Sequence, residues 1–126
     1  MKPRTIAKKT IATLSRFVSA TRIASSRELR DFFYVPTDEP IGAYISFEDH
    51  YFVVGNEACR HVAVPIDGIF RYAAITDASV VEKAGATYVK INLTTGSIHI
   101  MLDPEHLSDG PVICDYFNTV SRGPSA

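Results

Sequence analysis

The apolar positions of this chain change period as it advances. Near the start, Ala7, Ile11, Leu14 and Val18 recur at intervals of four, three and four, with Phe17 beside them. That spacing is one stripe of an α-helix, and Lys8, Lys9, Thr13 and Arg16 fall off it. Ser25 followed by Glu28 reads as a capping box ahead of Leu29, Phe32 and Phe33, so a second short helix is expected, stopped at Val35-Pro36. Pro36-Thr37-Asp38-Glu39-Pro40 has the composition of a connector.

From Ala43 the period becomes two. Ala43, Ile45 and Phe47 alternate with Tyr44, Ser46 and Glu48, and the run resumes at Phe52 and Val54. A turn at Asp49-His50 would set Phe47 opposite Phe52 and Ile45 opposite Val54. A second hairpin joins Tyr88–Leu93 to Ile98–Leu102 through Thr95-Gly96, and predicts the pairs Leu93 with Ile98, Ile91 with Ile100 and Val89 with Leu102. Its other face carries Tyr88, Lys90, Asn92, Ser97, His99 and Met101. Between the hairpins, Val62–Val64, Ile69–Ile75 and Val80–Val81 read as short strands. Turns are expected at Pro65-Ile66-Asp67-Gly68, Thr76-Asp77 and Ala84-Gly85-Ala86. Ser108-Asp109-Gly110-Pro111 then opens a C-terminal helix whose apolar face is Val112, Ile113, Tyr116, Phe117 and Val120, closed by Gly123-Pro124.

The predicted fold class is α+β, mainly antiparallel β: about seven short strands in a meander or partly closed barrel, with a basic N-terminal helix and an amphipathic C-terminal helix. Residues 1–35 make the helical segment and 36–126 the β domain with its helix. This order of elements resembles the architecture of pleckstrin-homology-like domains. The chain has 126 residues, which suits one core.

Charge changes the picture. Residues 1–30 carry eight Lys or Arg against Glu28 alone, whereas residues 31–126 carry five basic and thirteen acidic side chains, so a net −1 conceals +7 beside −8. The candidate partner-binding residues are therefore Lys2, Arg4, Lys8, Lys9, Arg16, Arg22, Arg27 and Arg30, facing an acidic protein surface or a polyanion such as nucleic acid or anionic lipid. The competing account is internal: a basic helix lying on an acidic β domain neutralises it. A third is targeting, since residues 1–27 lack acids and are rich in Ser and Thr, as in organellar presequences. Self-association through the stripe at residues 11–18 is a further expectation.

Candidate chemistry is sparse. Cys59 and Cys114 are the only cysteines, without CxxC spacing, which points to a reducing compartment such as the cytoplasm. No stretch reaches the roughly 20 apolar residues of a membrane span. Cys59-Arg60-His61 is the nearest approach to a ligand pair, and His50, His61, His99 and His106 form no HExxH or HxH motif. No phosphate-loop signature occurs, and no cofactor, metal or catalytic residue is expected. The functional expectation is a non-catalytic binding or adaptor module whose basic N-terminal helix engages an acidic partner. The alternatives are a nucleic-acid-binding accessory protein, using Tyr44, Tyr51 and Tyr88 on outer sheet faces, and a small enzyme with a Cys/His site assembled in space.

Overall fold

The computed structural model describes residues 3–33, 40–46, 50–63 and 66–121. The Pro36–Pro40 connector before Pro40, residues 47–49 of the first turn and Gly123-Pro124 lie outside that set.

The N-terminal stripe is buried within the chain, but it is not the one helix its spacing predicts. Helix α1 (Pro3–Thr10) ends after two turns, residues 11–16 turn, and Phe17–Ser19 forms strand β1. Ala7, Ile11 and Leu14 enter the main core, while Val18, already on the strand, enters a second cluster. Two short helices follow, α2 (Ala20–Ser25) and α3 (Arg27–Phe33). The α3 cap is Ser26, whose hydroxyl accepts the Leu29 N–H at 3.2 Å; Ser25 instead donates back to the Arg22 carbonyl.

Two antiparallel sheets follow. Strands β2 (Gly42–Ile45), β3 (Tyr51–Val54), β4 (Ala58–Ala63) and β5 (Ile66–Arg71) join β1 in a five-stranded sheet of order β1-β2-β3-β4-β5. A 3-10 turn at Tyr72–Ala74 breaks the single strand expected over Ile69–Ile75 and carries the chain into the second sheet. That sheet has three strands, β6 (Ile75–Lys83), β7 (Ala86–Leu93) and β8 (Gly96–Met101), in the order β6-β7-β8. The two sheets do not close into a barrel. Helix α4 (Asp109–Val120) ends the described chain.

Both hairpin registers differ from expectation, with different consequences. The later hairpin pairs Leu93 with Gly96, Ile91 with Ile98 and Val89 with Ile100, because Thr94-Thr95 is the turn. A shift of two leaves every side chain on its expected face. The first hairpin pairs Ile45 with Tyr51, Tyr44 with Phe52 and Ala43 with Val53. This shift of three puts Tyr44 and Phe52 together in the main core, and Ala43, Ile45, Tyr51 and Val53 on the opposite face. Alternation could not specify that register, because both faces are apolar and α2–α3 covers the second. Thr76-Asp77, expected as a turn, is a register irregularity within β6. Ala84 and Gly85 adopt φ of 53° and 80°, the backbone a two-residue hairpin requires.

The main core lies between the inner faces of the two sheets and α4. Phe52, Cys59 and Phe70 meet Val89, Ile91 and Ile100 there, with Ile113, Tyr116, Phe117 and Val120 from the helix. Helix α1 docks against α4 and adds Ile6 and Ala7. On the outer face of the large sheet, Ile23 of α2 and Phe33 of α3 cover Val18, Ala43, Tyr51 and Val53. Residues from both sides of position 36 thus share each cluster.

Candidate functional site

Ser15 and Arg16 are tied to the rest of the chain by a polar cluster at the N-terminus of α4. Asp109 is 7% exposed, and its Oδ2 accepts hydrogen bonds from Ser15 Oγ and Tyr44 Oη, each at 2.6 Å. Beside it, the Arg16 guanidinium lies 3.2 Å from the Asp103 carboxylate and donates to the Ser46 carbonyl at 2.6 Å. Burial, reinforced by Asp109, pushes the Tyr44 phenol well above its ordinary range, so it is a neutral donor. Arg16 therefore serves the internal account of the N-terminal charge, neutralising an acid of the β domain.

The other candidate cations divide clearly. Lys9 is exposed on α1, Arg22 on α2, and Arg27 and Arg30 on α3; none enters an ion pair among the described residues. Exposed Glu28 and Asp31 share α3, leaving four cations against two acids. Lys2 lies outside the described residues, and the side chains of Arg4 and Lys8 lie outside the described set. The stripe proposed for self-association is occupied: Ile11, Leu14 and Val18 are buried within the chain.

Tyrosine positions bear on the nucleic-acid expectation. Tyr44 and Tyr51 are buried rather than on an open face, because α2–α3 covers one side of the large sheet and the core the other. Only Tyr88 stays half-exposed, its ring edge-on to His99 at 6.0 Å. Lys90 pairs with His99 across β7 and β8, and Lys83 stands nearby on β6. Partial desolvation, followed by the charges of Lys90 and Lys83, lowers the His99 pKa.

The candidate nucleophiles are quiet. Cys59 is fully buried and its thiol is pushed well up by burial; Cys114 is pushed up to about 11 for the same reason. His50 is engaged, its Nδ1 accepting the Met101 N–H at 3.4 Å. The side chain of His61 lies outside the described set. Among the described residues no group of three His, Cys, Asp or Glu could hold a metal ion.

An open cleft of about 430 Å³ lies at the β3–β4–β5 side of the large sheet. Val53, Pro40 and Ile69 are among its apolar lining, and Arg60, Arg71 and Glu57 among its polar lining. Sequence reasoning missed it, since its residues are gathered from β3, β4 and β5 with no local motif. Comparison of the chain with protein-family models, curated proteins and solved structures found no match.

Proposed function

We propose that this chain is a non-catalytic binding module that takes an acidic protein surface on the cations of its N-terminal helices. The observation that carries the reading is the division of labour among those cations: Arg16 is tied to Asp103, whereas Lys9, Arg22, Arg27 and Arg30 are exposed on helices docked against the rest of the chain and form no ion pair among the described residues. A docked helix presents charge at little conformational cost, so encounter with an acidic partner is steered and register is fixed. The succession of a meander sheet, a second three-stranded sheet and a capping helix also supports the resemblance to pleckstrin-homology-like domains at the level of element order.

A second reading, single-stranded nucleic acid, is favoured by Tyr88 and His99 lying beside Lys90 on the open face of the smaller sheet. The experiment separates the two. Wild type and Arg22→Glu/Arg27→Glu/Arg30→Glu are passed over immobilised poly-glutamate and over immobilised oligo-dT at low and moderate salt, with circular dichroism confirming both folds. Retention on poly-glutamate that the triple variant loses supports the proposal. Equal retention of both proteins refutes it, and retention on oligo-dT lost only on Lys90→Glu would transfer the function to the smaller sheet.

A further inference from the structure

Sheet edges are hazards because their unpaired backbone groups can accept a foreign strand. Two long edges here are capped at one residue each by side chains that imitate a neighbouring strand. On β6, the Asn118 amide of α4 accepts the Ala78 N–H at 2.8 Å and donates to the Ala78 carbonyl at 2.9 Å. On β8, the Met101 carbonyl accepts from Ser46 Oγ while its N–H donates to His50 Nδ1. The β1 edge is only three residues long. Strand β5 is different: it ends the five-stranded sheet, and β4 is the one element packed extensively against it among the described residues.

The parity of its ladder can be fixed. Tyr72 N–H donates to the Glu57 carbonyl at 2.9 Å, beside the pair Ala58 and Arg71. Antiparallel pairs alternate, so Ile66, Gly68 and Phe70 turn their backbone groups toward β4, and Asp67, Ile69 and Arg71 turn theirs outward. Ile69, the most exposed large hydrophobic residue described at 70%, stands at the middle of that outward set.

We propose that β5 is a self-association edge, and that its occupant is β5 of a second copy of this chain, paired antiparallel about a two-fold axis at Ile69. The sequence of the edge is self-complementary in that register. Ile69 meets Ile69 of the second copy, and Asp67 stands opposite Arg71 twice, residues of opposite charge. Opposite charges directly across an antiparallel pair stabilise it, and like charges weaken it. A two-fold axis makes both contributions count twice and closes the assembly at a dimer. Arg71 is available for this role: its one ion pair among the described residues, with Glu57 at 3.7 Å, joins side chains 76% and 84% exposed. Two five-stranded sheets become one continuous sheet, and the cleft flanked by Ile69 and Arg71 comes to border the joint.

The test is a concentration series in light scattering and sedimentation equilibrium on the full chain, with circular dichroism confirming the fold of each variant. Wild type is expected at twice the monomer mass. Arg71→Asp and Asp67→Arg, each replacing two opposite-charge pairs by two like-charge pairs, are each expected to raise the half-dissociation concentration by about tenfold or more. Mixing these two variants restores every opposite-charge pair, as does the doubly exchanged Asp67→Arg/Arg71→Asp, so both should recover the dimer. A wild type that is monomeric at all concentrations overturns the proposal. So does a dimer that either single charge reversal leaves intact, or a mixture that stays monomeric.

Discussion

Five acidic groups are buried in their neutral forms, so raising the pH should weaken this fold. Burial is the main cause in each case: it holds the Cys59 thiol well up, Cys114 at about 11, and the Tyr44, Tyr72 and Tyr116 phenols far above their usual values. Tyr72 and Tyr116 also share a hydrogen bond of 2.8 Å that suits two neutral hydroxyls. In the unfolded chain thiols titrate near 8.5 and phenols near 10. Each folded pKa therefore exceeds its unfolded counterpart, and the stabilisation is intact below the unfolded values and lost as pH rises past them. At pH 10 an unfolded thiol, about 1.5 units past its pKa, shifts the balance by about 2 kcal/mol and a phenol at its midpoint by about 0.4, some 5 kcal/mol for the five groups together. That is comparable with the whole stability of an ordinary domain, about 5–15 kcal/mol. With a urea m-value of about 2 kcal/mol/M, the unfolding midpoint should fall by about 2.5 M between pH 7 and pH 10 in reducing buffer. Phenolate absorbance at least equal to that of three tyrosines should appear only with unfolding, and Cys59→Ala should remove about 2 kcal/mol of the pH dependence. A midpoint unchanged at pH 10, or early phenolate absorbance in the folded protein from these tyrosines, would refute the reasoning.

Two substitutions probe the contacts that fix the N-terminal segment. Tyr44→Phe removes a charge-assisted bond to buried Asp109 and is expected to destabilise by about 2 kcal/mol in urea unfolding; combined with Ser15→Ala the effects should not add, because both donors share Oδ2. Gly42→Ala would bring a methyl within 2.6 Å of the Val18 carbonyl, and since backbone cannot step aside, a loss of about 1–3 kcal/mol and faster amide exchange across β1 are expected.

What the sequence made legible was the burial pattern more than the backbone that delivers it. Ala7, Ile11, Leu14 and Val18 were identifiable by spacing as one apolar stripe, yet their chain leaves the helix after Thr10 and buries them within the molecule. The terminal helix face was readable because one long amphipathic element must bury one stripe, and Ile113, Tyr116, Phe117 and Val120 all do so. The later hairpin kept its faces because its outer side is polar. The first lost them because Ala43, Ile45, Tyr51 and Val53 are as apolar as the inward residues. The hydrogen bonds of Asp109, Asn118 and His50 had no local signal at all, since their partners lie 40 to 94 positions away. For the same reason Arg16 could not be told from the outward cations.

The bond between Ser15 and Asp109 also has a meaning in time. During synthesis at about 5–20 residues per second, the ribosome needs roughly 5–20 seconds to travel between those two positions. For that interval α1 has been made but the helix it rests on has not. Ile6, Ala7 and Ile11 wait in an unfinished chain without the helix that covers them in the finished one, the kind of transient apolar exposure that favours aggregation.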